Sequence, residues 1–141
     1  MNDSFALRAL VAAVVVQFAT VGVPARSAAA EAALTGDWSG TSLCVANHDP
    51  CKDEKALYHL TGPNERNVVT IVASKIVDGR EIVMGPPSDF RYDPQKQTLV
   101  LESRYGIFRF TVSGDKLDGT LTEPSGVVYR KISLKRVAKE H

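Results

Sequence analysis

Residues 31–141 predict an all-β domain: a small antiparallel up-and-down β-barrel of about eight to nine strands, with an open β-sandwich as the alternative. Three observations carry this reading. Short runs rich in Val, Ile, Thr and aromatics alternate apolar with polar side chains, the period of a strand with one buried face. Turn signals built from Gly, Pro, Asn and Asp separate those runs roughly every 8–12 residues. No stretch of about ten residues or more beyond residue 30 has a clean helical period. Every connection is short, which favours a meander, and a meander of this many strands removes its exposed edges by closing on itself.

The chain starts with a weakly charged segment ending at Arg8, followed by an apolar run from Ala9 to Val23. Pro24, Arg26 and the small-residue tract Ser27-Ala28-Ala29-Ala30 come next. This order reads as a secretory signal peptide over residues 1–30, with Ala28 and Ala30 as the small residues of the cleavage site. The apolar run is about 15 residues, short of the ~20 that span a bilayer. Removing Arg8, Arg26 and Asp3 leaves acidic and basic residues in balance. A neutral domain argues against nucleic acid as a partner. The expected setting is periplasmic or secreted, as a monomer, with no stable membrane anchor after cleavage.

The first strand runs through Leu34–Val45 and holds the only tryptophan, Trp38, between Gly36 and Gly40. Trp38, Gly40, Ser42 and Cys44 share one face. Export places Cys44 and Cys51 in an oxidising compartment, and two cysteines allow one intramolecular pairing. A disulfide is therefore expected around the turn-rich loop Val45–Pro50. Lys52-Asp53-Glu54-Lys55 reads as a charged turn. Ala56–Thr61 reads as the second strand, with Ala56, Tyr58 and Leu60 on one side. Gly62–Asn67 breaks it. Val68–Ile76 is β-branched and nearly continuous, the composition of a covered central strand. Asp78-Gly79 is a two-residue hairpin signal leading into Arg80–Met84, and Gly85-Pro86-Pro87 ends that pairing. Ser88–Tyr92 places Phe90 and Tyr92 together. Gln97–Ser103 aligns Leu99 with Leu101. Ile107–Ser113 puts Phe108, Phe110 and Val112 on one face. Lys116–Thr122 turns Leu117, Gly119 and Leu121 inward. Val127–Val137 closes the set, with Val128, Arg130, Ile132 and Leu134 on a common face.

Gly36-Asp37-Trp38 resembles the G-x-W signature of the lipocalins and their calycin relatives. In that family the tryptophan opens the first strand and closes one end of the barrel, with a basic residue near the end of the last strand lying across it. Arg130 or Arg136 fills that place here. The resemblance covers three residues and a strand pattern. It implies a lipocalin-like barrel, reduced in length and without the C-terminal helix that usually follows. Small exported barrels that inhibit lysozymes or proteases are similar in size and layout.

No motif names an activity. His48, His59 and His141 have no metal-ligand spacing, and both cysteines are expected to be oxidised, so no metal and no cofactor is expected. There is no nucleophile elbow and no phosphate loop, and the protein is expected not to be an enzyme. Two functional readings remain. In the first, Trp38, Phe90, Tyr92, Phe108, Phe110 and the inward Arg130 line a site for a small apolar or amphipathic ligand. A buried guanidinium asks for an anion, which a ligand carboxylate would supply. In the second, the domain is a protein-interaction module or an inhibitor of an envelope or extracellular enzyme. It would present loops fixed in advance by Cys44–Cys51 and by Gly85-Pro86-Pro87.

Overall fold

The computed structural model describes residues 34–45 and 50–139, with Val16 and Gly22 as isolated positions. The expected signal peptide and its cleavage point lie outside the described residues, as do His48, Asp49 and His141. Among the described residues there are nine strands and no helix: β1 (Gly36–Cys44), β2 (Glu54–Thr61), β3 (Val68–Val77), β4 (Arg80–Val83), β5 (Ser88–Asp93), β6 (Thr98–Ser103), β7 (Gly106–Ser113), β8 (Lys116–Thr122) and β9 (Val128–Arg136).

Every strand pair is antiparallel, and β1 pairs with both β2 and β9. Together with the β2–β3 pairing, this closes a ring β1-β2-β3-β5-β6-β7-β8-β9. The result is an eight-stranded up-and-down barrel with one extra strand, and the open sandwich is not formed. The extra strand is β4. It pairs only with the upper half of β3, through Ser74↔Val83 to Val77↔Arg80. The lower half of β3 pairs with β5, through Val68↔Arg91 to Ile71↔Ser88. Thus β4 and β5 share one edge of β3, interrupted at Gly85-Pro86-Pro87, and Val68–Ile76 is the covered central strand expected, paired along both edges with none of its residues exposed. Its upper half carries a hairpin whose four β4 residues are all exposed.

The alternation read from the sequence matches the side-chain directions. Trp38, Tyr58, Leu60, Val69, Ile71, Phe90, Leu99, Phe110, Leu117, Ile132 and Leu134 form one buried core. Gly40 and Gly119 are among the glycines that permit close approach. A Cβ on Gly40 would lie 1.9 Å from the Ser133 carbonyl oxygen on β9, so the seam that closes the barrel needs a bare backbone there. On Gly119 it would meet the Phe110 ring at 2.3 Å. The expected turn Lys52–Lys55 is corrected: Glu54 and Lys55 belong to β2, paired with Ser42 and Thr41.

One end of the barrel is sealed by Trp38, which is fully buried. Its indole N–H donates to the Leu34 carbonyl at 3.1 Å. The Arg136 guanidinium lies 4.3 Å from the ring centroid, a cation–π contact. Arg136 is itself fixed by Asp115 and by the Thr35 carbonyl. Of the two arginines that the sequence resemblance left open, Arg136 covers the tryptophan, and Arg130 stands near the opposite end of β9, in register with Cys44.

Candidate functional site

The end opposite Trp38 is the mouth. The described parts of the β1–β2 connection, Val45 and residues 50–53, and the β3–β4 hairpin lie there, as do the turns after Ser103 and Thr122. Cys44 and Cys51 are joined by a disulfide, with Cα atoms 6.0 Å apart. The loop is further held by the Asp53 carboxylate, which accepts the Cys44 N–H at 2.8 Å.

A cleft of about 590 Å³ opens between this loop and the hairpin. Pro50, Lys52, Asp53, Glu54 and Lys55 form one side, and Lys75, Ile76, Val77, Asp78 and Gly79 the other, with Arg130 between them. Strand alternation places the inner residues. Glu54 is two positions before Ala56 on the inward face of β2, and Lys75 continues the inward series Val69, Ile71 and Ala73 on β3. Arg130 donates from Nη1 to the Ser42 carbonyl at 3.3 Å and to Ser42 Oγ at 3.1 Å. Glu54 stands 3.7 Å from Arg130 and 3.8 Å from Lys75, an ion triplet at the mouth. Below it, Tyr58 has its hydroxyl pKa pushed up to about 12, by burial first and by the Glu54 charge second, so it stays a neutral donor.

The aromatic residues named from sequence are dispersed along the lumen. Phe90 and Phe110 pack at 5.8 Å between centroids, Phe90 and Phe108 at 6.2 Å, and Tyr58 and Phe110 at 6.3 Å, so these rings contact one another across the interior. Tyr92 is half-buried, its hydroxyl pKa raised by burial and then by Asp93. Trp38 is at the sealed end. Of the named set only Arg130 lines the cleft. Glu54, Lys75 and Ser42 were not singled out from sequence. The signal was there in period two, extended backward from Ala56 and forward from Ala73.

A second polar cluster lies on the outer wall. His59 Nδ1 is 2.7 Å from Asp37 Oδ1, and His59 Nε2 is 2.5 Å from Glu81 Oε1. The paired carboxylates raise the His59 pKa, Asp37 first and Glu81 second. The Glu81 pKa is lowered, first by His59 and then by the neighbouring Ser74 hydroxyl. Ser74 is completely buried, and its Oγ lacks a partner within hydrogen-bonding geometry. The contact with Glu81 is thus one of proximity, weaker than a formed bond. Glu81 belongs to β4, so this cluster ties the hairpin to the wall. No group of His, Cys, Asp and Glu among the described residues has the geometry to hold a metal ion.

The Gly85-Pro86-Pro87 segment lies in the wall, level with Val72 and Ala73, where the Met84 N–H donates to the Ala73 carbonyl at 2.8 Å. It does not join the Cys44–Cys51 loop at the rim, and the Asp78-Gly79 tip takes that place. No protein-family profile matches the chain, and no curated protein and no solved structure gives a significant match.

Proposed function

We propose that the chain is an exported, non-catalytic barrel of lipocalin-like kind that binds a small apolar or amphipathic molecule at its mouth. The supporting observation is Arg130, turned inward beside a cleft that opens at one end of a barrel whose other end is sealed by Trp38 and Arg136. The Cys44–Cys51 bond fits an oxidising compartment. The test is to purify the protein from its native compartment, unfold it and extract it with organic solvent. Mass spectrometry should find one small molecule in near-equal molar amount. An extract empty of any such compound counts against the reading.

A second reading, an interaction module for an envelope protein, is favoured by the apolar side chains exposed around the mouth. Leu43, Val45, Val77, Tyr105, Ile107 and Val127 are exposed there, while the exposed Ile82, Val83 and Met84 run down the wall from the hairpin tip. Apolar residues gathered at one end of a small domain mark a contact surface. An empty extract together with a co-purifying envelope protein at fixed stoichiometry would favour it.

A further inference from the structure

The Arg130 guanidinium lies 5.6 Å from the Tyr129 ring centroid, and it forms hydrogen bonds along one edge only. The side chain is 15% exposed, and both of its hydrogen bonds leave from Nη1. Glu54 Oε2 faces the same nitrogen at 3.7 Å, beyond hydrogen-bonding distance. Among the described residues Nε and Nη2 meet no acceptor, although a guanidinium presents five N–H donors in a planar fork. Lys75 likewise reaches the other Glu54 oxygen only at 3.8 Å. Two cations therefore share one carboxylate, and neither contact is a formed hydrogen bond. Lys52 and Lys55 are matched by Asp53 and Asp78 on the same walls, so one positive charge is left in excess within a partly dehydrated mouth, where charge is costly until it is paired.

We infer that the cleft recognises an anion: a ligand whose carboxylate or phosphate docks on the free edge of Arg130, with Lys75 as the second cation. This rests on the ligand-binding reading above and names the chemistry of that ligand. A fork of N–H donors matches two oxygens of one acid group, which a point charge does not. The Tyr58 hydroxyl, kept neutral, is a further donor beneath them. Pro50, Ile76 and Val77 on the cleft walls give a short apolar tail a surface to lie on. The packed rings below limit how deep that tail can go, so the expected ligand is a short-chain acid with its head inward. Glu54 competes for both cations and sets the affinity.

The test is isothermal titration of the protein at neutral pH with octanoate, octyl phosphate and octanol. Their tails are alike and their heads differ. One or both anions should bind, and the tighter of the two identifies the acid group. Octanol should bind at least about tenfold more weakly, the size of one or two charge-assisted hydrogen bonds. Arg130→Gln should weaken the anion by a similar factor, while Glu54→Gln should strengthen it by removing the competing carboxylate. Where Arg130→Gln fails to fold by circular dichroism, Glu54→Gln and the salt dependence carry the test. Octanol binding as tightly as octanoate would leave a ligand-binding barrel and overturn the anion site. Absence of binding by all three would overturn both.

Discussion

Trp38 is held from three directions: Leu34 accepts its N–H, Arg136 covers its face, and Tyr58 is its cross-strand neighbour on β2. Trp38→Ala should cost about 3–5 kcal/mol, the range for emptying an aromatic core site. That is a large part of the ~5–15 kcal/mol holding a domain of this size. Urea unfolding should show the loss, and native Trp emission should be blue-shifted. An unchanged midpoint would mean that the indole is not the keystone of this end. The tryptophan was legible in the sequence because a single large ring between two glycines on an alternating strand has few other uses. Which arginine covers it was not legible. Arg130 and Arg136 lie on the same face of β9, so period two cannot separate them. Only the register Trp38↔Arg136 does. Glu54 was missed for a related reason. Lys52-Asp53-Glu54-Lys55 has the composition of a solvated turn, and the strand character of its second half comes from Glu54 pairing with β1 and Lys55 pairing with both β1 and β3.

The β3–β4 hairpin and the β1–β2 loop are the two elements that frame the cleft, and each has one tie that can be cut. The hairpin is tied to the wall by Asp37–His59–Glu81. The raised His59 pKa means that its stabilisation is complete below its ordinary value of 6.5 and fades as pH rises through the folded value. The lowered Glu81 pKa contributes stability above its ordinary 4.5 and loses it as pH falls through the folded value. The tie is therefore strongest between about pH 4.5 and 6.5. His59→Gln should lower the melting temperature most in that window, with the difference from wild type shrinking above neutrality. A difference independent of pH would show that His59 acts through packing instead. The loop is tied by Cys44–Cys51. The protein should carry no free thiol and be lighter than its reduced form by two hydrogens. Replacing both cysteines with serine should cost about 2–3 kcal/mol on the loop-closure model. It should weaken ligand binding further, because Pro50, Lys52 and Asp53 line the cleft. Binding unchanged in that variant would place the ligand elsewhere. That β4 lies beyond the ring was not legible from sequence. Asp78-Gly79 specifies a hairpin, but not whether the returning strand continues around the barrel. That depends on the pairing of β3 with β5 through Val68–Ile71.

At the scale of the whole molecule the meander was readable from alternation and turn spacing, because each strand neighbours the next and local signals suffice. Closure was not local. It depends on β1 meeting β9, a contact between residues far apart in sequence, which the bare backbone at Gly40 permits. That seam also brings the two ends of the folded chain together. The Val137 N–H donates to the Asp37 carbonyl at 2.8 Å, and Arg136 reaches Thr35. The barrel is consequently a ring in which the first strand is a matter of where synthesis started. A circular permutant, with the end of β9 joined to the start of β1 by a short glycine-serine linker and new termini opened in the exposed turn at Gln95-Lys96, should fold to the same barrel. Its far-ultraviolet circular dichroism should match the parent, and its anion affinity should survive, since the mouth lies at the far end from both the join and the cut.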